Sequence, residues 1–227
     1  MAAVFTAVAI AACSTFGVND QPDPGPSTAG DAGSDVGTAL DAADGEASSS
    51  GSDGATEPTP CGAQPDCERV VFVTSTTYAG QDLDSVLNAD AQCTAVASAI
   101  NAVPRVKNRT FMAWLSDTTN SAASRVVHGT RPYVRVDGKP IAADFNQLAS
   151  GSLAAAFDLD EKNELLDASQ LVWTGTASNG SATGTDCSKW TGGGGDTAGM
   201  PSQTGTQWTD AGGRNCAVAY HLYCLEL

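Results

Sequence analysis

DSVLNADAQCTAVASAI, residues 84–100, is rich in alanine and free of glycine and proline. Val86, Leu87, Ala89, Cys93, Val96, Ala97 and Ile100 recur at helical spacing. That pattern predicts one amphipathic helix with Cys93 on its buried stripe. Pro104 lies just beyond, where a stop signal belongs. Cys93 is one of an even set with Cys61, Cys67, Cys187, Cys216 and Cys224. In a chain bound for an oxidising compartment, an even set reads as a disulfide framework, although spacing alone selects no connectivity.

Short strand signals surround the helix. Residues 69–74 (RVVFVT) are β-branched and bounded by polar residues, and residues 110–115 (TFMAWL) read as a second strand. Tyr133-Val134-Arg135-Val136 and Lys139-Pro140-Ile141-Ala142 flank Asp137-Gly138, which predicts a hairpin with a type I′ turn. Pro140 has no backbone donor, so its strand belongs at a sheet edge. Residues 144–149 suit a short helix and 171–174 another strand. From Gly175 the chain turns rich in Gly, Thr and Ser, with brief strand candidates at 187–190, 207–209 and 217–225. Such backbone is entropically costly to order, so a disulfide across it makes physical sense; Cys187 and Cys216 bracket the stretch. The expected class is α+β: one main helix on a small, mostly antiparallel sheet with long loops.

Composition divides the 227 residues. Residues 14–60 hold nine acids and no Lys or Arg, among Gly, Ser, Ala, Pro and Thr. Such a stretch buries too little apolar surface to offset its chain entropy and is expected to be a disordered linker. Residues 61–227 remain, enough for one domain with a single core. Of the formal −15, the linker carries −9 and the domain −6, from 17 acids against 11 bases. Nucleic acid needs a basic footprint, which this balance does not supply. Arg105, Lys107 and Arg109, and likewise Arg125, Arg131 and Arg135, read as a solvated face of mixed charge.

Residues 1–12 (MAAVFTAVAIAA) are apolar over the length of a signal h-region, too short to span a membrane. Ile10-Ala11-Ala12-Cys13 resembles a bacterial lipobox, which implies acylation of Cys13 and removal of residues 1–12. Several acyl chains on one residue give stable anchoring. Ser14 follows, rather than the Asp that retains such proteins at the inner membrane, so the resemblance implies a lipoprotein at the outer membrane and the cell surface. Residues 1–12 lack the Lys or Arg of a signal n-region, which leaves open a true start upstream of Met1. A flexible linker of this length would have an r.m.s. reach of about 35–40 Å.

Within the domain, Ala113-Trp114-Leu115, Trp208-Thr209-Asp210 six residues before Cys216, and Tyr223-Cys224-Leu225-Glu226 stand in order. Together with the helical Cys93 they resemble the C-type lectin-like fold over residues 69–227. In that family a cysteine on the first helix pairs with one in the final strand, and two others pair between them. The resemblance thus implies Cys93–Cys224 and Cys187–Cys216, leaving Cys61 and Cys67 as a local pair. Val71-Phe72-Val73-Thr74-Ser75, Ala113-Trp114-Leu115-Ser116-Asp117, Pro132-Tyr133-Val134 with Val136-Asp137-Gly138, and Val172-Trp173-Thr174-Gly175-Thr176 resemble a bacterial branch more closely. This is the endostatin-like domain of leptospiral and myxobacterial surface lipoproteins. It implies a surface binding or adhesion module for an extracellular protein or glycan.

Specific chemistry has less support. Calcium needs six to eight oxygens, usually with several carboxylates. The lectin calcium motif is missing between Trp173 and Cys187, and Thr209 replaces its usual Asn, so only Asp210 of that site remains. No cofactor and no metal ligand set is expected, with a calcium-dependent lectin the lesser alternative. The run Asp158-Leu159-Asp160-Glu161-Lys162-Asn163-Glu164 fails the EF-hand pattern and reads as a solvated loop. Residues 192–195 are all glycine, but no Gly-Lys-Ser/Thr follows and no helix opens there, so they read as a flexible loop and not a phosphate cradle. His128 and His221 are the only histidines, and nucleophile-elbow, zincin and Cys-x-x-Cys signatures are lacking, so no enzyme is expected and no catalytic residue is assigned. Trp190, followed by Thr191-Gly192-Gly193, is the tryptophan best placed to be exposed. Trp190, Asp210 and Asn215 are therefore the ligand-contact candidates within loops 175–215. The alternative role is a structural envelope lipoprotein.

Overall fold

The computed structural model describes residues 59–227. The expected leader, the lipidated Cys13 and all but the last two residues of the 14–60 linker lie outside the described residues. The domain opens with β1 (Arg69–Val73) and β2 (Tyr78–Ala79), then α1 (Val86–Ala97), β3 (Phe111–Ala113) and α2 (Ala122–Arg125). Next come β4 (Tyr133–Arg135), β5 (Pro140–Ala142), α3 (Phe145–Ala149) and β6 (Val172–Trp173). β7 (Gly195–Gly199), β8 (Gly213–Asn215) and β9 (Ala219–Glu226) complete it.

The terminal strand organises the rest. β9 is buried continuously from His221 to Glu226, as befits a strand covered on both faces. It pairs antiparallel with β1, β2 and β3 and parallel with β6. The sheet runs β5-β4-β1-β9-β6-β7-β8, with β2 and β3 also on β9. Only β1/β4 and β6/β9 are parallel, so the sheet is mostly antiparallel. The pleat of β1 sends Val70 and Phe72 into the layer beneath α1, with Leu83, Cys93, Phe111 and Trp173. Val71 and Val73 enter the opposite layer with Trp114, Tyr133, Phe157, Trp208 and Tyr223.

Three disulfides staple these layers: Cys93–Cys224 from helix to final strand, Cys187–Cys216 across the loops, and Cys61–Cys67 at the start. This is the arrangement the family resemblance implied. Beside the last pair, buried Glu226 accepts from the Cys61 and Val70 amides and from the Arg109 guanidinium at 2.5 Å. It thereby ties the beginning of the domain to its end.

The helix is capped by Ser85, whose Oγ accepts from the Asn88 amide at 3.1 Å. Val86, Ala89, Cys93 and Ala97 form its buried stripe, but Leu87 and Ile100 are 71% and 95% exposed. The helix ends at Ala97, so Ile100 falls beyond its last turn. The hairpin forms with Pro140 on the edge strand, but its turn is not type I′. Only Gly138 takes a positive φ, while the Gly138 amide bonds the Arg135 carbonyl and the Arg135 amide bonds that of Lys139. That pattern is a three-residue loop with a glycine bulge. Residues 206–208 form a 3₁₀ turn rather than a strand, with the Trp208 amide bonded back to Gly205.

Two other expectations fail for one reason: charges are used inside the fold. Asp160 and Glu161 are buried, not in a solvated loop. Asp160 accepts from the Lys162 and Glu164 amides, and Glu161 from the amide and hydroxyl of Ser75. The basic residues do not make one solvated face either. Arg109 is buried against Glu226, Arg125 pairs with Asp90, and Arg135 bridges Asp137 and Asp158.

Candidate functional site

The loops between β6 and β8 are held by two aspartates. Asp186 caps a turn formed by Cys187, Ser188, Lys189 and Trp190, all four at positive φ between 48° and 67°. L-residues disfavour this left-handed conformation by roughly 1–2 kcal/mol each, so the surroundings must impose it. Asp186 Oδ1 accepts from the Lys189 amide at 2.8 Å and Oδ2 from the Thr118 amide at 2.9 Å. Burial opposes its charge, yet these amides hold its carboxyl below the usual range. At the ends of the turn, Cys187 is bonded to Cys216 and the Trp190 indole is fully buried. Its Nε1 donates to the Ser116 carbonyl at 3.0 Å, and its ring packs edge-on against Trp173.

Asp196, on β7, is 1% exposed. Its Oδ1 accepts three bonds, from the Thr197 amide at 2.6 Å and from the Thr185 and Thr183 hydroxyls at 3.2 and 3.3 Å. Its Oδ2 is buried and has no partner among the described residues. Burial above all, with Asp186 adding to it, pushes this carboxyl from 3.8 up to about 7, against the three donors. Gly175 makes room for the arrangement. A β-carbon there would stand 2.8 Å from the Ser116 carbonyl oxygen, 2.9 Å from Asp196 Oδ2 and 3.1 Å from the Trp190 ring.

A groove of about 520 Å³ opens at the N-terminal end of α1. Val86, Leu87 and Met112 supply its apolar wall; Ser85, Asp117, Asn120 and Arg125 supply its polar groups. Arg125 is committed to Asp90 at 2.6 Å and to the Leu115 carbonyl at 2.7 Å. Asp117 organises its own loop by accepting from the Thr119 and Asn120 amides. The next residue, Thr118, is the one held by Asp186, so groove and loops share a boundary.

The predicted ligand contacts do not converge. Trp190 is in the core and not exposed: its indole fills the space beside Gly175 and Trp173, where the left-handed turn delivers it. Asp210 is half-buried, and its amide closes the 206–208 turn on Thr206. Asn215 is exposed opposite Gly195 at the sheet edge, its Oδ1 accepting from the Ala217 amide. Thr209, at the family's Asn position, is buried and accepts from the Trp114 indole at 2.9 Å. His221 is buried between the Thr74 carbonyl and Gln170, and burial lowers its pKa. His128 stacks on Phe145 with ring centroids 3.8 Å apart. Among the described residues, no three or more His, Cys, Asp and Glu side chains gather to hold a metal ion.

Asp186, Asp196, Thr183 and Thr185 carry no motif and are not among the ligand contacts expected from the sequence; Ser116 enters that reading only within the family-like stretch 113–117. No protein-family model and no curated protein matches this chain.

Proposed function

We propose that this chain is an exported lipoprotein, anchored to the outer membrane through Cys13, whose C-type lectin-like domain of endostatin-like type is a non-catalytic recognition module. Its ligand is an extracellular protein or glycan, and it needs no cofactor. The groove beside α1 carries this reading. An apolar wall with the 71% exposed Leu87, set among Ser85, Asp117 and Asn120, is the surface chemistry of a recognition site. It adjoins loops that a disulfide, a strained turn and two aspartates hold in place on a rigid sheet, where binding residues commonly sit.

The test is an array of glycans and matrix proteins probed with the oxidised wild-type chain and with Leu87→Asp. Leu87 supports no core contact, so the variant should fold as wild type. Loss of about tenfold or more in apparent affinity for the bound spots supports the groove. Equal binding by both proteins removes the groove from the account.

A further inference from the structure

We propose that Asp196 is a proton-operated latch: as a neutral acid it ties loop 175–190 to β7 and the Ser116 segment, and once ionised it holds that loop more weakly. Its bearing on recognition rests on the loops being part of the binding surface; the latch itself does not.

The geometry of the two carboxylate oxygens separates the states. Oδ1 takes all three donors, two of them hydroxyls from the loop, at Thr183 and Thr185. Oδ2 takes none and is sealed from water. A buried anionic oxygen without a donor is costly. A proton on Oδ2 removes that charge and supplies a donor. The Ser116 carbonyl oxygen and Oδ2 flank one point, 2.8 and 2.9 Å from the β-carbon position at Gly175, and to this carbonyl we assign the proton's acceptor role. Trp190 already donates to that carbonyl, and a carbonyl oxygen has two lone pairs.

Among the charged groups on the packed segments, one opposes ionisation and the others are engaged elsewhere. Asp186, from the loop, repels the ionised form. Lys189 is attracted to Asp186 and carries its charge there. Arg214, across the β7/β8 register, directs its guanidinium to the Gly213 and Ala211 carbonyls. Asp117, in the Ser116 segment, is exposed and occupied with its own turn. The left-handed turn at 187–190 supplies the tendency to relax once the latch weakens, and Cys187–Cys216 keeps its base attached.

Hydrogen exchange read by mass spectrometry on the oxidised full chain tests the latch. Rates for amides 183–191 are corrected for intrinsic pH dependence and compared with those of α1. With the carboxyl at about 7 when closed and 3.8 when open, protection of the loop should fall about tenfold between about pH 6 and pH 8.5. Asp196→Asn keeps an acceptor for the three donors and gives Ser116 a permanent N–H, so its loop protection should not vary with pH. If that variant does not fold, the carboxyl ¹³C shift of Asp196 in the wild type should titrate near neutrality. Loop protection independent of pH in the wild type, or a carboxyl that is fully ionised at pH 6, overturns the latch. No ligand takes part, so a failed latch leaves the recognition reading standing, and a silent array leaves the latch standing.

Discussion

Replacing Gly175 by alanine, with Gly184→Ala as its control, isolates the packing that builds the loop platform. Both glycines have positive φ, 55° and 87°, so alanine incurs a backbone penalty of about 1–2 kcal/mol at each. Gly184 is at least as strained for alanine, but its added methyl would meet nothing within 4 Å. At Gly175 the methyl would meet the Ser116 carbonyl at 2.8 Å, Asp196 Oδ2 at 2.9 Å and the Trp190 ring at 3.1 Å. The Ser116 oxygen is backbone, Asp196 is pinned by three donors, and Trp190 is locked in the core, so none can yield cheaply. Overpacking of this kind costs about 1–3 kcal/mol, which places Gly175→Ala about 2 kcal/mol below Gly184→Ala. For a domain of this size that difference is a gap of about 4–8 °C in melting temperature. Thermal melts of the two oxidised variants, backed by urea titrations with a common slope, measure it. Equal melting temperatures would refute the close convergence of Gly175, Ser116, Asp196 and Trp190.

The disulfides should contribute unequally. By loop-closure entropy, Cys93–Cys224, spanning 131 residues, is worth about 5 kcal/mol and Cys187–Cys216, spanning 29, about 3.5 kcal/mol. Paired Cys→Ala variants should follow that order in urea, and non-reducing peptide mapping that links Cys93 to any residue but Cys224 contradicts the layout. Asp196 sets a pH dependence of stability. Its folded value of about 7 exceeds the 3.8 of the free side chain, so the native state binds the extra proton between these limits. The stabilisation is complete below about pH 4 and is lost as pH rises to about 7, by at most about 4 kcal/mol. His221 works in the opposite sense: its lowered pKa means stability is lost as pH falls below 6.5. Urea midpoints of Asp196→Asn against wild type should therefore diverge most at about pH 8 after allowing for the offset at pH 4; parallel profiles would count against the buried carboxyl.

Local chemistry wrote the legible parts of this fold. The helix carries its cap, its stripe and its stop within some twenty residues, and Pro140 declares an edge strand by lacking a donor. Residue order and the family likeness placed the disulfides. What stayed hidden depends on contacts distant in sequence. None of Cys187, Ser188, Lys189 and Trp190 is glycine, so nothing local announces a left-handed turn; Asp186, Thr118 and the disulfide impose it. The same turn carries Trp190 inward, against the exposure suggested by the glycines after it. Asp196 sits between Gly195 and Thr197 in a low-complexity stretch, and its burial depends on Gly175 and on the Ser116 segment. Likewise Glu161 looks solvated in sequence, yet it is taken up by Ser75, 86 residues away.

The central claim, metal-independent recognition by this domain, is tested most directly on the array of glycans and matrix proteins, using oxidised wild-type chain with and without EDTA. The account predicts saturable binding to a defined set of protein or glycan spots, unchanged by EDTA. Binding abolished by EDTA, or silence from a folded, fully disulfide-bonded sample, would contradict it.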